Sequence, residues 1–318
     1  MTGAPPVWTC DDARYYQLEA GRCRARRALL RTSRIEACCE RWSVGMLKLG
    51  SVPRGTVAFL VHAGHAGDAR IQGRPVAPGE IAVRLEGEEY HYRSSGPARL
   101  LTVTIRRSAL EEHVRREFDR NLGALRLQGS LSRLRAEPSE VRRLCRALVA
   151  READDSFRPV SRRGRGLEGE VLRVLLGRVG PPVAPERPCP GRGLALRAEA
   201  WLRQNLQAAP TVLGLCAALD VSERTLHEAF RQHLGTTPMA YLKTLRLNAA
   251  RHDLQRAETS TRVTDVALDW GFQHFGWFAH DYRRLFAETP SDTLRCGRSE
   301  ATRRPAAAGP LVRLTLGA

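Results

Sequence analysis

Lysine is nearly absent from this chain. Two of its 51 basic residues are lysine and 49 are arginine, against 34 acidic residues, for a net charge of +17. A GC-rich coding sequence biases composition toward arginine by itself, so the charge carries functional weight only where it can be located. It does not concentrate: residues 195–297 hold 12 basic and 11 acidic residues, residues 1–194 hold 35 and 22, and the tail from 298 holds 4 and 1. Bulk charge suggests a polyanionic partner without saying where it binds. Also missing is any apolar run near the ~20 residues of a membrane-spanning helix. The opening MTGAPPVWTCDDARYY has neither a basic n-region nor an apolar core. The expectation is a soluble, intracellular protein with no membrane partner. The eight cysteines form no C-x-x-C pair and have no histidine-rich partner spacing, which excludes a zinc module and points to reduced thiols. Cys38 and Cys39 are neighbours, and on a strand neighbouring side chains point apart.

With 318 residues the chain has room for two hydrophobic cores. Residues 1–34 read as an arginine-rich lead-in. From 35 to 107, short β-rich runs such as TVAFLVHAG and ARLLTVTIR alternate with Gly and Pro, the pattern of an antiparallel sandwich or barrel. The turn-rich residues 72–80 look like the G-x-x-x-x-x-P-G-D/E turn of small cupin-like barrels, with Glu80 in the acidic position. Helices are predicted at 108–118, 139–152 and 167–179. Ser108 is a capping residue followed by Glu111 and Glu112 in the first turn. Val141, Leu144, Cys145 and Leu148 form one apolar stripe, and Val171, Leu172, Leu175 and Leu176 another. Such stripes either cover the open edge of a sheet or form a dimer surface, so residues 108–179 are expected to serve cover and homodimerisation. Residues 180–193, with five prolines, read as a linker.

The remainder is helical in period to about residue 295. In VTDVALDWGFQHFGWFAHDYRRLF, Val263, Val266, Ala267 and Trp270 share one face, and Phe278, Tyr282 and Phe286 share another. Gly271 stands between them, where a left-handed residue stops one helix and aims the next. The outward stripe is Gln273, Trp277, His280 and Arg284, which suits groove contacts and equally a solvated helix face. A second such unit lies upstream. Thr211 caps a short helix with Leu213, Cys216 and Ala217 inward, and Asp220 takes the turn. Ser222 then caps a helix to residue 234 with Leu226, Phe230 and Leu234 inward and Arg224, His227, Glu228 and Arg231 outward. Residues 238–257, opening on Pro238, form a rod of about 30 Å, and recognition helices in successive major grooves sit ~34 Å apart. This context favours DNA. The tail 298–318 reads as disordered.

Two helix-turn-helices about a long helix, with LCAALDVSERTLHEAFRQHLGTTPMAYLKTLRLNAARHDL and WGFQHFGWFAHDYRRLFAETPSDTLR, resemble the AraC/XylS family of bacterial transcription regulators over residues 195–297. FGWFAHDYRRLFAETPSDTL is similar to the ethanolamine-operon regulator branch. The resemblance implies an α+β multidomain fold: a degenerate cupin-like sensing domain at 35–107 and an all-α DNA-binding domain at 194–297. It implies a cytoplasmic, nucleoid-associated activator that binds double-stranded promoter DNA, contacts RNA polymerase and answers to a small effector or partner, with no cofactor. Base contacts fall to Arg224 (guanine), His227 and Glu228 (cytosine N4) in the first unit, and to Gln273, His274, Trp277 and His280 in the second. Ser222, Thr225, Arg231, Lys243, Arg283 and Arg284 suit the phosphate backbone. Glu228 stands where many members carry a basic or amide residue, so repulsion of phosphate is its other reading. Trp277 replaces a small polar residue and is read either as partly core or as a contact to a thymine methyl. Gly276 has no side chain to read with.

Two other classes fit parts of the sequence. His62, His65, Glu80 and His91 would serve a cupin-type metal enzyme, though HAGH is a poor substitute for H-x-H with a downstream carboxylate. An alkyl-transfer repair protein would need a zinc-bound nucleophilic cysteine, and Cys10, Cys23, Cys38 and Cys39 lack that spacing. Metal ligands and catalytic residues are therefore expected to be none.

Overall fold

A computed structural model of the chain describes residues 13–64, 68–118, 135–152, 162–176, 191–208, 210–258 and 260–303. These fall into two units, 13–15 with 24–176 and 16–23 with 191–303. Among them no helix is long and apolar enough to cross a membrane.

The first unit is built on two five-stranded antiparallel sheets. One has the order β2 (Ala25–Arg31), β3 (Ile35–Trp42), β10 (Ala98–Arg106), β5 (Thr56–His62), β8 (Ile81–Leu85). The other runs β1 (Arg14–Gln17), β4 (Met46–Ser51), β9 (Glu89–Ser94), β6 (Ala69–Ile71), β7 (Arg74–Pro75). β10 is the centre of the first sheet, pairing β3 from Ala98↔Trp42 to Ile105↔Ile35 and β5 from Leu100↔His62 to Arg106↔Thr56. Side chains alternate across a strand. Leu101, Val103 and Ile105 therefore share one face with Cys39, Phe59 and Val61, and that face forms a single core with α1 (Arg107–Phe118), α2 (Pro138–Glu152) and α3 (Arg162–Leu176). Glu40, His62 and Thr102 take the other face and meet the second sheet. There Lys48 donates to Glu40 Oε2 at 2.6 Å and Thr102 Oγ1 at 3.2 Å, and His62 shares a 3.2 Å hydrogen bond with Tyr92. Cover on both sides explains why β3 is buried at nearly every position. It also separates the adjacent cysteines: Cys38 Sγ accepts from Arg27 Nε at 3.1 Å, while Cys39 bonds the thiol of Cys145 on α2.

Several boundaries differ from the sequence reading. β1 and β2 lie in the stretch read as lead-in, because in ARRALLR the buried Ala25, Ala28 and Leu30 are enough to hold a strand whose Arg26 and Arg31 are exposed and whose half-buried Arg27 bonds Cys38. α1 starts at Arg107, so Glu111 sits one turn into the helix and pairs with Arg107 at 3.1 Å. The stripes of α2 and α3 pack against the face of the sheet, and on their outer side Arg143–Glu170 (3.2 Å) and Arg173–Glu140 (2.9 Å) link the two helices. These stripes are thus consumed as cover rather than left for a dimer. Most of the expected linker lies outside the described residues.

The second unit contains α4 (Arg192–Gln204), α5 (Val212–Leu219), α6 (Glu223–Leu234), α7 (Pro238–Gln255), α8 (Val263–Asp269), α9 (Phe275–Phe286) and α10 (Pro290–Arg303). α10 is started by a reciprocal cap, in which Thr289 Oγ1 takes the Asp292 N–H at 3.1 Å and Asp292 Oδ2 takes the Thr289 N–H at 3.2 Å, and it runs past the expected end at 297 to Arg303. Residues 298–303 are accordingly helical, and 304–318 lie outside the described residues. α5 buries Leu215 and Cys216, whereas Leu213, expected inward, is 74% exposed and Ala217 also faces out.

Residues 16–23 belong to this helical unit and are held by Asn248 on α7 and by the Leu285 carbonyl on α9. Asn248 Oδ1 accepts the Gln17 N–H at 2.7 Å and Asn248 Nδ2 donates to the Gln17 carbonyl at 2.9 Å. The amide thus pairs with extended backbone much as a neighbouring strand would. Gln17 Nε2 and the Gly21 N–H both donate to the Leu285 carbonyl on α9, at 2.6 and 3.0 Å. Asn248→Ala would strip both partners from the Gln17 main chain, at about 1–3 kcal/mol. Chemical denaturation followed by helical signal should show the helical unit unfolding at lower denaturant in this variant than in the wild type.

Candidate nucleic-acid interface

The first helix-turn-helix is α5 and α6. Thr211 Oγ1 caps α5 by accepting the Gly214 N–H at 3.0 Å. Asp220 takes the left-handed turn at φ 53, and the Val221 N–H closes back on the Cys216 carbonyl at 3.1 Å. Ser222 Oγ then accepts the Thr225 N–H at 3.2 Å and starts α6. Leu226, Ala229, Phe230 and Leu234 bury one side of α6, which fixes the other. That outer side is an open concavity lined by Glu223, Arg224, His227, Glu228, Arg231 and Gln232. Glu228 Oε1 accepts from Gln232 Nε2 at 3.1 Å, and His227 Nε2 lies 3.7 Å from Glu223. Arg224 and Arg231 are exposed and form no ion pair among the described residues. Of the residues lining the face, Glu223 and Gln232 escaped the sequence reading, although Gln232 is visible as the i+4 neighbour of Glu228.

The second unit is α8 and α9. Gly271 adopts φ +76, with the Phe272 N–H bonded to the Ala267 carbonyl at 2.9 Å. A Cβ at Gly271 would also stand 3.1 Å from Nη1 of Arg246 on α7, so both conformation and space call for glycine. α9 buries Phe278, Asp281, Tyr282, Leu285 and Phe286 and begins at Phe275. Gln273 therefore lies in the turn, and His274 occupies the N-cap without a side-chain cap bond. Trp277 is 70% exposed, which removes it from the core; its ring packs edge-on to His280 at 6.0 Å. Arg283 and Arg284 are exposed on the last turns. Lys243, expected to meet phosphate, bridges α7 to α9 through Asp281 Oδ2 at 2.8 Å. Burial pushes the Asp281 carboxyl up, but Lys243, Arg284 and His280 outweigh this and hold it below the usual range.

Residues considered for other chemistries do not come together. His62 pairs with Tyr92, Glu80 bonds Arg135 at 3.0 Å and the Ala77 N–H at 2.8 Å, and His65 lies outside the described residues. Among the described residues no cluster of three metal-binding side chains occurs. Burial pushes the Cys38 thiol up to about 12 and the bond to Cys145 raises Cys39, the opposite of an activated nucleophile. Cys10 is outside the described residues.

Gly271→Ala is expected to cost about 1–2 kcal/mol from the left-handed backbone, with a further loss as Arg246 is displaced. Thermal unfolding of the variant should begin earlier than in the wild type, and an unchanged profile would refute the turn.

A model of the helix-turn-helix domain matches residues 215–295. The XylDLEGF operon transcriptional activator of Pseudomonas putida is 35% identical over 133 residues, 42% of this chain and 41% of the relative. The probable thc operon regulatory protein of Rhodococcus erythropolis is 40% identical over 104 residues, 32% of this chain and 31% of the relative. The chain thus spans about two fifths or less of these relatives. The crystal structure of a probable AraC family transcriptional regulator from Rhodopseudomonas palustris is 37% identical over 33% of this chain and 98% of that one, with a TM-score of 0.32. Residues 215–295 of the helical unit are thus a helix-turn-helix domain, similar in sequence to the corresponding region of AraC/XylS-type transcriptional regulators.

Proposed function

We propose that the chain activates transcription by gripping two successive major grooves on one face of promoter DNA, one with α6 and one with α9. The observation that carries this is the pair of outward recognition faces mounted on a single helix. At ~1.5 Å per residue the 18 residues of α7 span about 27 Å. With the width of the modules at its ends, that length suits the ~34 Å repeat of B-DNA. In the first module Arg224 bonds guanine, and His227 and Glu228 face the neighbouring bases, Glu228 accepting from cytosine N4 through the oxygen that Gln232 leaves open. In the second, Gln273, His274, Trp277 and His280 face bases. Arg231, Arg283 and Arg284 hold phosphate, with Ser222 and Thr225 beside the backbone, while Lys243 contributes mainly by fixing α9. Phosphates also suit the first turn of α9, whose N–H groups have no side-chain cap.

Control belongs to the first unit in this reading, a degenerate cupin-like domain that senses a small effector. What supports it is the fully buried Lys48 between the sheets, held by Glu40 with the Tyr15 and Tyr90 rings 5.7 Å away. A charged pair there adds little stability over hydrocarbon packing. A homodimer and contact with RNA polymerase complete the proposal, and the run FGWFAHDYRRLFAETPSDTL supports kinship with ethanolamine-operon regulators.

Selection of bound sequences from random duplexes, with and without candidate metabolites, tests the reading directly. Recovery of a two-part site is expected, and no enrichment at all would overturn it. On that site Arg224→Ala should lose about 1–3 kcal/mol and relax one base position. Arg283→Ala should weaken all sequences alike and reduce the salt slope by about 1. An unchanged site and affinity for Arg224→Ala would refute the placement of α6.

A further inference from the structure

The two recognition faces differ in chemistry. Every residue lining the outer face of α6 can form hydrogen bonds. The first turn of α9 instead presents Phe275 at 42% exposure and Trp277 at 70%. An indole left this open is unsatisfied in the free protein. His280 packs against its ring, and Arg283 and Arg284 lie further along the exposed side of the helix. Asp281, the acidic residue of α9, is mostly buried, with Oδ2 on Lys243 at 2.8 Å and Oδ1 3.2 Å from Arg284, which leaves Arg283 as the exposed cation without that pairing.

Gly276 is the second clue. It has no positive φ, and a Cβ built on it would meet nothing within 4 Å. The chain's own packing therefore gives no reason for glycine at a helical position, where alanine is the better helix former. A partner that approaches the backbone closely does give one. On the exposed face of a recognition helix that partner is the floor of a groove. There the feature an apolar side chain can distinguish is the C5-methyl of thymine, which projects into the major groove.

We infer that the second helix-turn-helix reads thymine through its methyl group, with Trp277 in contact with the methyl and Gly276 letting α9 close on the base edges. The inference rests on the DNA-binding reading. It divides the target into a half-site read by hydrogen bonds under α6 and one read by apolar contact under α9.

The test uses the full chain and a duplex obtained by selection. Each thymine under α9 is replaced in turn by uracil, which removes only the methyl. Loss of one methyl contact should weaken wild-type binding about fourfold, the equivalent of ~0.8 kcal/mol. Trp277→Ala should bind more weakly and show no uracil penalty at that position. Gly276→Ala should unfold no earlier than the wild type and still bind the site less tightly. The inference is overturned if no thymine under α9 is sensitive to uracil, or if Trp277→Ala retains the full penalty. Normal DNA affinity in Trp277→Ala together with lost activation of transcription would also overturn it, by assigning the indole to a protein partner. Failure of the wild-type chain to select any site would instead refute the DNA-binding reading itself.

Discussion

The helical unit depends on α7 and, along it, on Arg246. That guanidinium donates to the carbonyls of Leu206 and Ala208, both at 2.8 Å, and so holds the chain leaving α4. The same group lies against the turn at Gly271 that aims α9. One side chain thus refers both modules to one helix. Three residues earlier Lys243 takes Asp281, and five residues later Arg251 takes Glu288 at 3.0 Å while lying 4.7 Å over the Phe286 ring. Partly exposed ion pairs contribute at most about 1 kcal/mol each. The stiffness comes mainly from the core of Leu247, Ala250, Leu254, Val266, Phe278, Tyr282 and Phe286. The polar ties select one orientation among those the core would permit.

Given a fixed rod, the two outer faces are free to diverge, and they do. α6 is capped by Ser222 and lined with donors and acceptors that partly satisfy one another, such as Glu228 with Gln232. α9 has no side-chain cap and opens on an aromatic residue, a glycine and a tryptophan. A hydrogen-bonding surface discriminates strongly because a wrong base leaves it unpaired. An apolar surface discriminates less and contributes burial. Under the proposed DNA-binding reading, the first module supplies most of the specificity and the second mainly anchorage.

Much of this was legible in the residues. Thr211, Ser222, Pro238 and Gly271 act through local backbone chemistry, and each occupies the cap or turn that chemistry implies. The buried stripe of α9 followed from period alone. What was hidden depended on distant partners. Lys243 looks like a free cation until Asp281, 38 residues later, is brought to it. β2 hides because its arginines outnumber its leucines, and the end of α10 hides because its last residues have no apolar stripe. Leu213 was misread since an apolar residue at a plausible phase gives no sign that nothing packs over it. The role of Asn248 in holding residues 16–23 joins positions 231 apart in sequence, beyond any local pattern.

The central claim is that α7 sets a fixed distance between two readers of DNA. A series of duplexes with zero, five and ten base pairs inserted between the half-sites tests it most directly, with affinity as the readout. Five pairs turn the second half-site to the far face of the duplex, and ten return it to the same face about 34 Å further on. A rigid rod predicts full affinity only without insertion and single-module affinity at both five and ten. Full affinity across the series, or its recovery at ten, would contradict the account.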